Sequence, residues 1–426
     1  MDIAKRYDVL ILGGGVGGVA AALQCTRLGL KTALIEKTIL WGGLATSGLV
    51  PIYMPLCDGK GRQVTGGIAE ELLWASIKYG PGRLPREWAD GSRGSRPSGA
   101  QGISAAAEAA TADEELYDPG SFAKRFQTFF APHAFALGLD ELLETCGADL
   151  WLDTLACLPI IESNAVTGVE VENKSGRIAL QGRCVIDATG EADIAFRSGA
   201  PCQERGSYPS MLYQATSLEL ARKAADAGNA RKVVTWRGGG SSNEMDKGYD
   251  GSSPKTMGTD GKALSAWIME SRRIARKHLQ ADQAKAATDA ALGRENLYPA
   301  VLPTMHQIRM SRMIDGQETV LTDRMNQRCD TSIGLIADCR KSGAVWEVPY
   351  GALLPRNVEN LLVVGRCASA EGYAWQVTRL IQSCALMGQV AGLAAQLALA
   401  GRTSPSQLDA KDVQRAAEGC GIALHL

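Results

Sequence analysis

The chain has 426 residues, a 45% hydrophobic share, a 21% charged share and a formal net charge of −1. That length is too great for one ordinary core and points to two domains, and the near-zero charge removes any broad electrostatic case for nucleic acid or an anionic membrane surface. No stretch reads as a run of ~20 apolar residues suited to spanning a bilayer, and no signal segment is apparent at the N-terminus. The 11 cysteines form no C-x-x-C pair, and several, such as Cys25 and Cys184, sit in apolar runs. They read as reduced thiols of a cytoplasmic protein, with no metal site.

In chain order, the first element is the apolar run Asp8–Leu12, a strand buried on both faces. Gly13-Gly14-Gly15-Val16-Gly17-Gly18 follows and fits G-x-G-x-x-G at Gly13, Gly15 and Gly18. An alanine-rich helix is predicted over Val19–Leu28, with Gly29 as its stop. Lys31–Glu36 reads as a second strand. Gly13 permits a tight turn, Gly15 lets backbone approach a pyrophosphate, and Gly18 lets helix and strand pack closely. The helix N-terminus offers N–H groups and partial positive charge to phosphates. Glu36, about 20 residues on, is placed to accept from ribose hydroxyls, with Lys37 beside it. A lone glycine motif arises easily in a chain with 48 glycines; here strand, turn, helix, strand and acid fall in order. The motif by itself specifies a dinucleotide, without separating FAD from NAD.

Three later segments favour FAD. Trp41-Gly42-Gly43-Leu44-Ala45-Thr46-Ser47-Gly48 carries a glycine pair that lets backbone lie flat against an extended ligand. Cys184-Val185-Ile186-Asp187 is a buried strand running into the small-residue turn Ala188-Thr189-Gly190. Asn360–Gly365 is a further apolar strand ending in glycine. It is followed by Arg366, by Thr378-Arg379 and by a small-residue helix through Gly388 and Gly392, whose start near Arg379 is placed to face a flavin ring. Between these lie Ala165–Val171 and Arg177–Leu180, a predicted hairpin turning at Asn173–Gly176. Residues 91–112 and 238–262, rich in Gly and Ser, read as loops. Gly238-Gly239-Gly240 lies there with no strand before it, so no second nucleotide motif is read.

Together these motifs resemble the FAD-dependent oxidoreductase family of the glutathione-reductase-type flavin fold. Within that family they resemble its G-G-x-x-T-S-G branch, related to fumarate reductase flavoproteins. The closing pattern of that branch is carried by Pro349–Pro355, Asn360–Ser369, Arg379 and Gly388–Ala395; Tyr117-Asp118-Pro119 and Arg309–Gly316 resemble two further stretches. The resemblance implies an α/β fold, with a Rossmann-type FAD-binding domain built from 1–50, 133–205 and 340–426. A discontinuous α+β cap for the substrate would come from 51–132 and 206–339. It implies an enzyme that dehydrogenates, or reduces, a small organic substrate by hydride transfer at flavin N5. A flavin monooxygenase and an electron-relay subunit working with a protein partner stand as alternatives, because fold does not fix reaction.

The candidates for the chemistry are His306, Arg309, Tyr350 and Arg379. His306, Arg309 and Arg312 are spaced by three, which on a helix puts them on one face. Arg would clamp an anionic or carbonyl-bearing substrate and His would move the proton; the other reading is a helix with solvated charges, Arg312 holding Asp315 or Glu318. Tyr350 either presents its hydroxyl to the flavin or is a core tyrosine. Arg366 stands where this fold often has an acid, and pairs with pyrophosphate or substrate. Tyr373 and Trp375 either wall the pocket or pack in the core. Cys57 is a loop cysteine.

Overall fold

In the computed structural model, residues 3–81, 128–240 and 254–426 are described; Tyr117-Asp118-Pro119 and most of the two glycine-rich loops lie outside them. The chain forms two compact units. The first comprises Met1–Gly43, Pro51–Gln203 and Met313–Leu426, and the second Leu44–Val50 and Glu204–Arg312.

The first unit is organised on one sheet. Its strands are β1 (Ile3–Leu12), β2 (Thr32–Ile35), β3 (Asp149–Trp151), β4 (Leu155–Glu162), β5 (Ala165–Asn173), β6 (Gly176–Asp187) and, later in the chain, β12 (Leu361–Val363). The order β3-β2-β1-β6-β12 is parallel throughout. The near-continuous apolar character of β1, β2 and the end of β6 follows from that, since a parallel strand is covered on both faces. β4 and β5 add an antiparallel edge, with Asn173 opposite Gly176 at the predicted hairpin turn.

α1 (Val16–Arg27) covers the sheet and is covered in turn by α8 (Ile381–Gly401). A Cβ on Gly388 would overlap the Gly17 carbonyl oxygen, and one on Gly392 would sit 3.2 Å from that of Ala21. The same four-residue step on both helices shows that they run parallel with their N-termini at one end. α8 is long and apolar enough to cross a membrane by length and composition, a segment the sequence reading passed over; 72% of that window is buried within the protein.

The described part of residues 51–132, read from sequence as cap, clusters with the first unit. The reason is α2 (Ile68–Lys78), whose Ile68 N–H donates to Gln389 of α8 at 2.9 Å. It also packs so closely on α3 (Pro132–Glu144) that a Cβ on Gly138 would overlap the Ala75 carbonyl oxygen. The first unit is completed by α4 (Asp193–Arg197), the antiparallel pair β10 (Ser332–Ala337) and β11 (Val345–Pro349), α7 (Ala374–Thr378) and α9 (Ala410–Gly419).

The second unit is an antiparallel sheet of β7 (Ser210–Ser217), β8 (Val234–Gly240) and β9 (Leu297–Val301), in the order β8-β7-β9. It is accompanied by α5 (Leu218–Asp226) and α6 (Gly261–Gln283). Asp260 caps α6 by accepting from Ala263 N–H at 2.7 Å. Met211, Tyr213 and Ala215 of β7 pack with Ala275 of α6 to form its core. The short segment 44–50 is tied into this unit: Thr304 N–H donates to the Ser47 carbonyl at 2.9 Å, and Gln307 Nε2 to the Gly48 carbonyl at 2.6 Å.

Candidate functional site: a glycine-lined cradle at the strand ends

The carboxyl ends of β1, β2, β6 and β12 open on one edge of the parallel sheet, where ligands bind in open α/β sheets. The turn after β1 is set by sterics. Gly13 has φ +110°, and a Cβ there would overlap the Ala188 carbonyl; one on Gly18 would overlap the Gly13 carbonyl. Gly14 is closed off by the Trp41 indole. Gly15 differs: it is the N-cap of α1, with φ −65° and ψ 175°, and a Cβ there would meet nothing within 4 Å. Three glycines of this turn are therefore demanded by the protein's own packing, and Gly15 faces open room at a helix N-terminus. Gly17 is turned to α8, where a Cβ would lie 3.2 Å from the Cys384 carbonyl oxygen. Its lack of a side chain serves helix packing, while its backbone N–H stays in the first turn of α1.

Glu36 is buried and held. Its Oε2 accepts from Gly14 N–H at 2.7 Å and its Oε1 from Thr38 N–H at 2.8 Å. Each carboxylate oxygen keeps a second lone pair for a further donor. Lys37 beside it is exposed. Gly42 and Gly43, at φ +99° and +56°, fold back onto the glycine turn: Gly42 N–H donates to the Gly14 carbonyl at 2.8 Å. Leu44 belongs to the second unit.

The turn after β6 is built around Asp187, to which the sequence by itself assigns no role. Its fully buried carboxylate accepts from Thr189 N–H (3.0 Å), Thr189 Oγ1 (2.6 Å), Ile194 N–H and Ala195 N–H (both 2.9 Å). This fixes Ala188-Thr189-Gly190 and starts α4. The visible signal was a second strand ending in an acid before small residues, as in β2–Glu36. Burial first, and then the Asp187 and Glu191 carboxylates, raise the Asp193 pKa above the ordinary carboxylate value.

After β12, Gly365 takes φ +82° beneath the start of α8, 3.7 Å from Cys384 Sγ measured at its would-be Cβ. Arg366 is buried, lies over Gly190 and pairs with Glu191 at 3.3 Å. Arg379, the C-cap of α7, donates to Gln376 Oε1 at 3.1 Å. Arg366 and Arg379 both act on the Cys384 thiol, whose pKa burial nonetheless pushes up to about 12.

Two catalytic expectations are overturned. Residues 303–311 form no helix, so His306, Arg309 and Arg312 share no helix face; Arg312 is buried and pairs with Glu204 at 3.2 Å. Tyr350 is a core residue: its hydroxyl donates to the Pro405 carbonyl at 2.8 Å, and burial drives its pKa far up. Trp375 is likewise internal, donating to the Arg366 carbonyl at 2.7 Å, and Cys57 is buried. Tyr373 donates to buried Asp338 at 2.7 Å. A cavity of about 450 Å³ in the first unit is bordered by Glu318, Arg324, Thr331 and Glu347. No cradle residue lines it, and its Glu318 carboxylate is already taken by Thr331 and Gly351.

The cradle thus offers a helix N-terminus with open room above Gly15, an anchored acid one strand away, and a second helix N-terminus alongside. That donor set fits an adenine dinucleotide whose diphosphate lies on the turn. The family model for FAD dependent oxidoreductases matches residues 8–416, and the chain belongs to that family. FAD is its cofactor, and it is an oxidoreductase. Among curated relatives, dihydrolipoyl dehydrogenase of Bacillus subtilis is 51% identical over 49 residues, 12% of this chain and 10% of that protein. Digeranylgeranylglycerophospholipid reductase of Picrophilus torridus is 30% identical over 187 residues, 43% of this chain and 39% of the relative. The chain therefore spans only a minor part of the curated relatives it matches. A geranylgeranyl bacteriochlorophyll reductase-like protein from Thermoplasma acidophilum aligns over 97% of this chain and 83% of its own, at 16% identity and a TM-score of 0.45.

Proposed function

We propose that this oxidoreductase dehydrogenates, or in reverse reduces, a small organic substrate. In this reading Gly15 and the first turn of α1 hold the FAD diphosphate, Glu36 the ribose, and the turns at Thr189-Gly190 and Gly365 the remainder. FAD, when bound, supplies hydride acceptance or donation at its N5. The observation that carries the proposal is the open room at Gly15 beside anchored Glu36, since every other part of the turn is closed by the protein itself. Arg379 is the cationic candidate for the chemistry that lies in the first unit. Its field reaches Cys384, whose carbonyl lies against Gly17 and whose thiol lies against Gly365. We assign it to an anionic or carbonyl-bearing substrate. His306 and Arg309 of the second unit are retained as candidates, now on an irregular segment.

The test is anaerobic mixing of the FAD-loaded protein with alcohols, amines and carboxylic acids, followed by visible absorbance. Bleaching by one class supports the proposal and names that class. Reduction by a protein donor alone defeats it in favour of a relay, and joint consumption of NADPH and oxygen defeats it in favour of a monooxygenase. With the productive class found, Arg379→Ala is expected to slow bleaching by an anionic substrate at least tenfold while FAD stays bound; unchanged kinetics remove Arg379 from the site.

A further inference from the structure

Gln382 is the second residue of α8, fully buried, and neither its Oε1 nor its Nε2 has a hydrogen-bond partner. A buried amide with both ends unsatisfied is strongly disfavoured in a folded protein. The other deep glutamine of the same helix shows the ordinary solution: Gln389 donates to Gln24 at 3.0 Å and accepts from Ile68 N–H at 2.9 Å.

Its position gives the reason. Side chains on a helix lean toward its N-terminus, so Gln382 stands over the first turn of α8. That turn also carries N–H groups with no intrahelical acceptor. Gly388 lies against Gly17, and Gly392 against Ala21. At 1.5 Å per residue this register carries the start of α8 roughly 9 Å beyond the start of α1. A dinucleotide with its diphosphate on the first turn of α1 and its ribose at Glu36 would have its other end free to reach past Gly365 to the first turn of α8.

We propose that the Gln382 carboxamide is the hydrogen-bonding partner of the flavin's pyrimidine edge. That edge alternates a donor, the N3–H, with carbonyl acceptors. A primary carboxamide offers one acceptor and a pair of donors, so the two match at adjacent positions. A ring seated there must displace the atoms that now shield the amide, and the two hydrogen bonds offset that displacement. The inference rests on the FAD reading of the cradle and assigns Gln382 a positioning role within it.

The test uses FAD and FAD methylated at ring N3, titrated into apoprotein of the wild type and of Gln382→Leu. Wild type is expected to bind the methylated cofactor roughly ten- to a hundredfold more weakly than FAD. Gln382→Leu is expected to bind FAD weaker by a similar factor, with a shifted visible spectrum, and to discriminate little between the two cofactors. Apo Gln382→Leu is expected to melt no lower than wild type, because it removes two unsatisfied polar atoms; a purely structural glutamine would melt lower. Equal wild-type affinity for both cofactors overturns the inference even if the variant fails to fold, as does an unchanged affinity and spectrum in the variant. A wild-type protein that takes up no FAD defeats the cradle itself, a separate failure.

Discussion

Two runs of three glycines, Gly13-Gly14-Gly15 and Gly238-Gly239-Gly240, look alike in sequence and do different work. The first follows a buried parallel strand and opens a helix. The second was read as part of a polar loop, and the structure places it at the end of strand β8, paired antiparallel to β7. There a Cβ on Gly238 would lie 2.7 Å from the Leu212 side chain, and one on Gly239 2.9–3.1 Å from Ile274 and Ala275 of α6. Those glycines let a helix lie flat on a sheet. In the first run Gly13 and Gly14 are equally hemmed in, and only Gly15 faces room. Open room by itself is common to surface-turn glycines such as Gly147 and Gly176; at Gly15 it coincides with a helix N-terminus at a parallel strand end, where an anion is favoured, whereas Gly238 and Gly239 would clash and mark packing.

The comparison breaks most sharply at Gly15. Gly15→Val puts its Cβ where no described atom lies within 4 Å, on a backbone conformation valine accepts. FAD binding is expected to disappear while circular dichroism and thermal midpoint stay near those of wild-type apoprotein. A yellow, flavin-loaded Gly15→Val protein would sink the cradle. Gly18→Ala is expected to do the reverse damage: its Cβ overlaps the Gly13 carbonyl, so the fold itself is expected to lose about 1–3 kcal/mol, seen as a lower denaturant midpoint.

The second triplet gives a smaller effect. Gly239→Ala would put its Cβ 2.9 Å from the Ile274 side chain and 3.0–3.1 Å from the Ala275 backbone, inside ordinary contact distance, so α6 must move outward by a few tenths of an ångström. The expected cost is about 1 kcal/mol in the second unit, with FAD affinity unchanged. Loss of flavin in this variant would show that Gly238–Gly240 does more than pack.

What could be read from sequence in this protein was local. The strand, turn, helix and acid of residues 8–36 are neighbours in the chain, and apolar runs and glycines report them directly. The hairpin at Asn173–Gly176 is legible for the same reason. What failed depends on partners far away. The spacing of His306, Arg309 and Arg312 suits a helix, but backbone bonds from Thr304 to Ser47 and from Arg205 to Ser311 hold the segment irregular. Tyr350 finds its acceptor 55 residues on, at Pro405. Arg366 is paired with Glu191, at the end of another strand. The apolar length of α8 passes the test for a membrane span, and only the small-residue packing of Gly388 and Gly392 on α1 shows why a core helix has that composition.

The smallest expected effect lies in the acids beside the first triplet. Asp193 shares its surroundings with Asp187 and Glu191, and burial together with those carboxylates raises its pKa. A raised carboxyl pKa means that the folded state holds the proton more tightly than the unfolded chain. The stabilising contribution is therefore complete below the unfolded value of about 3.9 and is lost as pH rises through the folded value. Asp193→Asn keeps the shape of the group without its charge. Its thermal midpoint is expected to exceed that of wild type by a few degrees at pH 7, with the gap closing toward pH 4. Arg197 and Lys37 pull the other way on this group, which keeps the effect small. A variant less stable than wild type at pH 7 would mean that Asp193 is held ionised by those cations, and that charge balance, with sterics, shapes the turn after β6.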